Sequence, residues 1–120
     1  MNVLLNEDKL LQVILNLIDN SVSIASNDTF ILITSKIINN KLVQIKIYDQ
    51  GSGIDFVYKD KIFERFYTDR YSSKEDHSGL GLSISREIIK LFGGSIELTK
   101  SDNLDFSGAC FMIKLPLRIS

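Results

Sequence analysis

Between residues 7 and 25, Leu10, Leu11, Val13, Ile14, Leu15, Leu17, Ile18 and Val22 recur at spacings that spread apolar side chains around most of a helix. Such a helix needs cover on nearly every side, so the chain must supply a second layer and this element is expected to be largely buried. Asn6 is the expected N-cap, and Glu7 and Asp8 suit the positive end of the helix. Only one narrow line is polar. Gln12, Asn16, Asn20 and Ser23 follow one another by four, four and three residues, with Asp19 beside them. An asparagine facing a core must find partners, because an unpaired buried amide costs about 1–3 kcal/mol. Two readings stay open for Asn16 and Asn20: both cap neighbouring backbone, or both meet a polar ligand.

With 120 residues the chain has room for one domain with a real core. A hydrophobic share of 44% and a charged share of 24% place it among ordinary soluble globular chains. The net charge of −1 is scattered, which gives no basic field for nucleic acid. One cysteine, Cys110, stands in the apolar run ACFMI and reads as a buried core thiol, so disulfide scaffolds and cysteine metal clusters are excluded. No apolar run reaches the length of a membrane span, and no signal-peptide pattern opens the chain. Direct membrane contact is therefore not expected.

Isoleucine-rich stretches at residues 30–37 and 42–48, joined by the turn INNK, predict two antiparallel strands. The second runs into DQGSG. Residues 54–78 follow with the aromatic cluster KIFERFY and a polar run, TDRYSSKEDHS, that no periodicity organises; segments of this length are usually functional. A second helix is expected from Leu82, with Ile84, Ile88 and Leu91 on one face and Ile89 and Phe92 widening the stripe. Gly93 and Gly94 end it. SIELT and ACFMIKLPL then read as strands separated by a polar turn over residues 101–108.

Two short stretches carry the chemistry. HSGLGLSISREI sets Gly79 and Gly81 at the mouth of the second helix, although each glycine in a helix costs about 1 kcal/mol relative to alanine. Either this is a plain glycine turn, or a phosphate approaches the free N–H groups and positive dipole of the first turn. Asp49, at a strand end before Gly51 and Gly53, is similarly double. It holds the turn, or it accepts from an exocyclic amine while the glycines let a flat ring such as adenine lie against backbone.

NLIDNS, DQGSGI, IFERFY and SGLGLSI occur in the order and spacing of the N box, first glycine box, F box and second glycine box of sensor histidine kinases. The chain resembles the catalytic ATP-binding domain of that family, part of a wider group with gyrase, the ninety-kilodalton heat-shock chaperone and MutL. The likeness runs from about Asn6 to Leu117 and includes LFGGSIEL and FMIKLPL. It implies an α/β two-layer sandwich, a mixed sheet covered on one face by helices, with ATP held between the helices and a lid at about residues 55–78. It makes Asn20 the Mg²⁺ ligand and Asn16 its phosphate-side or water-mediated companion, both catalytic, and Asp49 the reader of adenine. Gly51 and Gly53 shape the base pocket, and Gly79, Leu80 and Gly81 present N–H groups to phosphate. Ser23, Ile54, Phe66 and Leu82 also fall at nucleotide positions. Phe63 and Phe66 are lid anchors or plain core aromatics. Arg65 is a catalytic phosphate contact, a contact to the partner helix, or half of a surface ion pair.

The resemblance further implies transfer of the γ-phosphoryl group to a histidine on a separate dimerisation domain of the same kinase, with a response regulator downstream and a cytoplasmic location within a membrane-bound sensor. Ser23 and Ile24 stand where many relatives carry lysine and an aromatic, which leaves one phosphate contact open. Thr68 replaces an arginine and His77 a glycine, and Arg70 and Lys74 are alternative sources of the missing charge. His77 reads as an exposed lid residue. Two other outcomes stay in view: a catalytically weak nucleotide-sensing module, and a serine kinase of the anti-sigma-factor type, against which the F box argues.

Overall fold

The computed structural model describes residues 7–24, 29–51, 53–64 and 81–116. Helix α1 spans Glu7–Ile24, strand β1 Leu32–Ile38, β2 Leu42–Tyr48, helix α2 Gly81–Leu91, β3 Ser95–Thr99 and β4 Cys110–Pro116. Two short 3₁₀ turns, Phe56–Tyr58 and Lys61–Phe63, lead out of β2. The expected boundaries of α1, β2 and β3 agree with these to within a residue.

Asn39 and Asn40 both adopt positive φ, 53° and 57°, and Lys41 N–H donates to the Ile38 carbonyl at 3.0 Å. Left-handed backbone at both positions suits the twist of a tight hairpin, and asparagine tolerates it better than most residues. From that turn the register runs Ile38 opposite Leu42 to Leu32 opposite Tyr48.

The described strands lie in the order β1-β2-β4-β3, and every pairing is antiparallel. The expected α/β sandwich with helices on one face of the sheet stands, and among the described residues the sheet is antiparallel rather than mixed. The crossover through α2 does leave β2 and β3 pointing the same way, but β4 lies between them and pairs antiparallel with each. No parallel ladder forms among the described residues.

Alternation along the strands divides the sheet cleanly. Ile45, Ile47, Ile96, Leu98, Phe111, Ile113 and Leu115 face the helices and join Val13, Leu17, Ile88 and Ile89 in one core. Ile62 and Phe63 close the same core, with the Phe63 and Phe111 rings edge to face at 6.2 Å. Phe63 is thus a core aromatic. Gln44, Lys46, Tyr48, Cys110, Met112 and Lys114 line the other face. There Asp102 accepts from the Tyr48 hydroxyl at 2.7 Å and from Lys46 at 3.3 Å, which ties the loop between β3 and β4 to the sheet.

Two expectations about burial need correction. Helix α1 is not enclosed: Val13 and Leu17 are fully buried, but Leu11 and Leu15 are more than half exposed. A four-stranded sheet with one neighbouring helix covers only part of an all-round apolar surface. On α2, Leu91 is 82% exposed and Ile84 is also exposed, while Ser83, Ser85, Ile88 and Ile89 are buried. The face built from Ser85, Ile88 and Ile89 is therefore rotated from the expected stripe toward Ser85, with Ser83 buried on another side of the helix. Cys110 is buried as expected, and burial pushes its thiol pKa up.

Candidate functional site

At the end of β2 the backbone turns away from the sheet, and Asp49 is left completely buried. Its Oδ1 accepts from Gly51 N–H at 3.0 Å and from Ala109 N–H at 2.9 Å. Main-chain bonds reinforce the contact, since Asp49 N–H donates to the Ala109 carbonyl at 3.0 Å and Gly108 N–H to the Asp49 carbonyl at 3.1 Å. Oδ2 has no hydrogen-bond partner among the described residues. A buried carboxylate oxygen without a donor is costly and rare, because desolvation of a charged acceptor is not repaid. One oxygen holds the turn, as the first of the two readings of Asp49 has it, and the other has no donor among the described residues.

Gly108 makes that packing possible. A Cβ added there would overlap Asp49 Oδ1 and stand 2.7 Å from the Gly51 nitrogen. The loop therefore approaches Asp49 with bare backbone, as glycine alone allows. Gln50 adds a clamp, accepting from Phe30 N–H at 2.8 Å and donating to the Asp105 carbonyl at 3.0 Å. Neither Gly108 nor Gln50 is marked out by local pattern, because their importance comes from a contact almost sixty residues away. Gly53, at φ +81°, and partly buried Ile54 follow on the same loop.

The second cluster joins the two helices. Asn16 lies on the side of α1 that meets α2, and its Nδ2 donates to Ser85 Oγ at 3.2 Å and toward the Gly81 carbonyl at 3.4 Å. Ser85 Oγ in turn donates to the Gly81 carbonyl at 2.8 Å. Asn20, one turn further along α1, is partly buried. Gly81 is the first described residue of α2, and among the described residues a Cβ there would meet nothing within 4 Å. Leu82 is half-buried against the core.

Asn16 and Gly81 thus meet at the α1–α2 contact, with Asn20 one turn further along α1, while Asp49, Gly51 and Gly53 form another group at the end of the sheet. Ser23 is carried by α1, but its side chain lies outside the described residues, as do Arg65, Phe66, Thr68, Arg70, Lys74, His77, Gly79 and Leu80. The lid expectation is covered only over residues 55–64. Ser85 was missed in the sequence; its one signal is a polar residue inside an apolar helical face. Among the described residues no group of three His, Cys, Asp or Glu side chains is placed to hold a metal ion. No described helix is long and apolar enough to cross a membrane.

Residues 5–119 match the family described as histidine kinase-, DNA gyrase B-, and HSP90-like ATPase, and the chain belongs to that family. It is similar to the sensor protein ChvG of Agrobacterium fabrum, 41% identical over 115 residues; the match takes in 88% of this chain and 18% of ChvG. The fold is similar to that of the mycobacterial sensor histidine kinase MprB, with a TM-score of 0.80 and 26% identity over 96% of this chain and 74% of that one. It is also similar to histidine kinase ThkA in a complex with the response regulator protein TrrA, with a TM-score of 0.70 and 29% identity over 91% of this chain and 28% of that one. The chain therefore spans less than a fifth of the curated relative.

Proposed function

We propose that this domain binds Mg·ATP and delivers the γ-phosphoryl group to a histidine on a separate dimerisation domain of a two-component sensor kinase. The observation that carries the reading is Asp49 Oδ2, a fully buried acceptor without a donor among the described residues, on a carboxylate whose other oxygen is fixed by two backbone N–H groups. The exocyclic amine of adenine supplies a donor of the required kind, whereas guanine would set a carbonyl oxygen against the carboxylate.

Asn20 is assigned to Mg²⁺, with Asn16 beside it on the phosphate or water side; amide oxygens suit a hard cation that keeps phosphate and water ligands. When bound, Mg²⁺ neutralises charge on the phosphate oxygens. Gly79, Leu80 and Gly81 offer N–H groups to those phosphates, and Arg65, Phe66, Ser23, Ile54 and Leu82 complete the assigned nucleotide contacts. Phosphoryl transfer of this kind depends mainly on positioning and charge neutralisation. An amide at Asn16 is no general base, so water is a poor nucleophile here and the phosphoryl group is kept for the histidine. The ThkA–TrrA complex supports a response regulator as the later partner, and the sensor-kinase relatives support a cytoplasmic place for the domain.

Calorimetry with Mg·ATP and Mg·GTP, followed by γ-labelled ATP with a cognate histidine-bearing helical domain, tests the reading. ATP should bind well ahead of GTP, label should appear on the added domain alone, and Asn20→Ala should abolish labelling. Equal affinity for the two nucleotides would remove Asp49 from its role, and rapid hydrolysis by the lone chain would remove the assignment of Asn16.

A further inference from the structure

Ser85 is completely buried on a helix face otherwise built from isoleucine, although burying a hydroxyl is unfavourable unless its bonds are made. Its bonds have a definite direction. A serine hydroxyl carries one hydrogen and here gives it to the Gly81 carbonyl at 2.8 Å, the return bond a mid-helix serine makes to the residue four before it. With that hydrogen spent, Ser85 Oγ can only accept. The Gly81 carbonyl can only accept as well. Asn16 approaches both, at 3.2 Å and 3.4 Å, so the atom it presents must be its NH₂ group. Reversing the amide would set its oxygen against two acceptors at once.

We infer that Ser85 is a positioning residue for nucleotide-bound metal: it fixes the Asn16 side-chain amide with nitrogen toward α2 and Oδ1 turned away from it, available to the Mg²⁺ shell. The inference rests on the assignment of Asn16 and Asn20 to the metal side of the nucleotide. It adds the reason why one asparagine of the pair presents oxygen rather than nitrogen. The same bonds tie the first turn of α2, the phosphate end, to α1, so metal and phosphate contacts share one anchor. A valine or alanine at residue 85 would fill the apolar face and leave Asn16 free to rotate.

The test compares ATP affinity with saturating Mg²⁺ and with chelator, in the unmodified chain and in Ser85→Ala, Ser85→Thr and Ser85→Val. Threonine and valine share a shape, so their difference isolates the hydroxyl. Loss of a group that orients a metal ligand typically costs about 10–100-fold in metal affinity. Ser85→Ala and Ser85→Val should therefore weaken Mg·ATP about tenfold and leave metal-free ATP unchanged, with Ser85→Thr close to the unmodified chain. Equal weakening with and without Mg²⁺, or none at all, would overturn the inference. If the unmodified chain binds ATP with no Mg²⁺ dependence, the metal assignment itself fails, which is a separate result. NMR of the unmodified chain decides the case should the variants not fold: the Asn16 side-chain N–H protons should exchange slowly with water, and free exchange would end the proposal.

Discussion

The two halves of the site are held by different means. Around Asp49 the fixing groups are main chain: N–H of Gly51 and Ala109, the reciprocal strand-like bonds of Gly108 and Ala109, and a glycine whose missing side chain makes the space. Around Asn16 they are side chains meeting across two helices. The proposed base end continues the hydrogen bonding of the sheet, whereas the proposed metal end depends on one hydroxyl and one amide. A substitution that breaks the main-chain packing of the proposed base end should disturb the fold and the ligand together, whereas one that keeps the Oδ1 bonds should affect the ligand alone. One at the metal end should affect the ligand alone.

The largest break is expected at Gly108. A Gly108→Ala methyl has no room beside Asp49 Oδ1 and backbone, and overpacking of this kind typically costs about 1–3 kcal/mol. We expect a lower melting temperature and loss of ATP binding by about a hundredfold or more, on the scale of 1.4 kcal/mol per tenfold. Thermal melts with calorimetry check it, and an unchanged affinity would show that the loop does not hold the carboxylate. Asp49→Asn should separate the two oxygens. The amide oxygen can keep the Oδ1 bonds while its NH₂ takes the place of Oδ2, turning an acceptor into a donor. Stability should change little, ATP should weaken about 10–100-fold on the scale of one lost polar match in a buried site, and preference over GTP should narrow or reverse. Retained discrimination in competition binding would move base recognition elsewhere.

The smallest effect concerns the loop's outer anchor. The Tyr48 hydroxyl, followed by Lys46, holds the Asp102 carboxyl below the usual carboxylate range. A carboxyl depressed in the folded chain stabilises it above the unfolded pKa, and that contribution is lost as pH falls through the folded value. Asp102 is exposed, so the gain is modest and screened by salt. Urea midpoints of the unmodified chain and Asp102→Asn should differ near neutral pH and converge well below pH 4, the ordinary aspartate range. A constant difference across that range would show that the charge on Asp102 is not involved.

Local chemistry made much of the fold legible. Asn39 and Asn40 announce the hairpin because few residues accept that backbone, and SIELT reads as a strand from its own alternation. What was misread depends on neighbours. Leu11 and Leu15 look like core residues until the width of the layer beneath them is known. On α2, a pattern with apolar residues at several helical spacings fits two adjacent faces, and contact with Asn16 decides for the one that carries Ser85. The family boxes single out Asp49 and Asn16 but give no role to Gln50, which lies within one of them, or to Gly108 and Ser85, which act through distant contacts. The antiparallel order is of the same kind, since no local pattern tells where β4 inserts.

That insertion also has a consequence for the order in which the protein is made. β4 is the last of the described strands to leave the ribosome, yet it occupies the interior of the sheet and supplies the only described partner of β3. Until it emerges, the nascent chain can form the β1–β2 hairpin but cannot join β3 to it, and pairings of such long sequence separation form slowly. Ala109, which grips Asp49, immediately precedes β4. The proposed base pocket therefore forms together with the finished sheet, and a nascent chain without β4 lacks the Ala109 bond that fixes the Asp49 carboxylate.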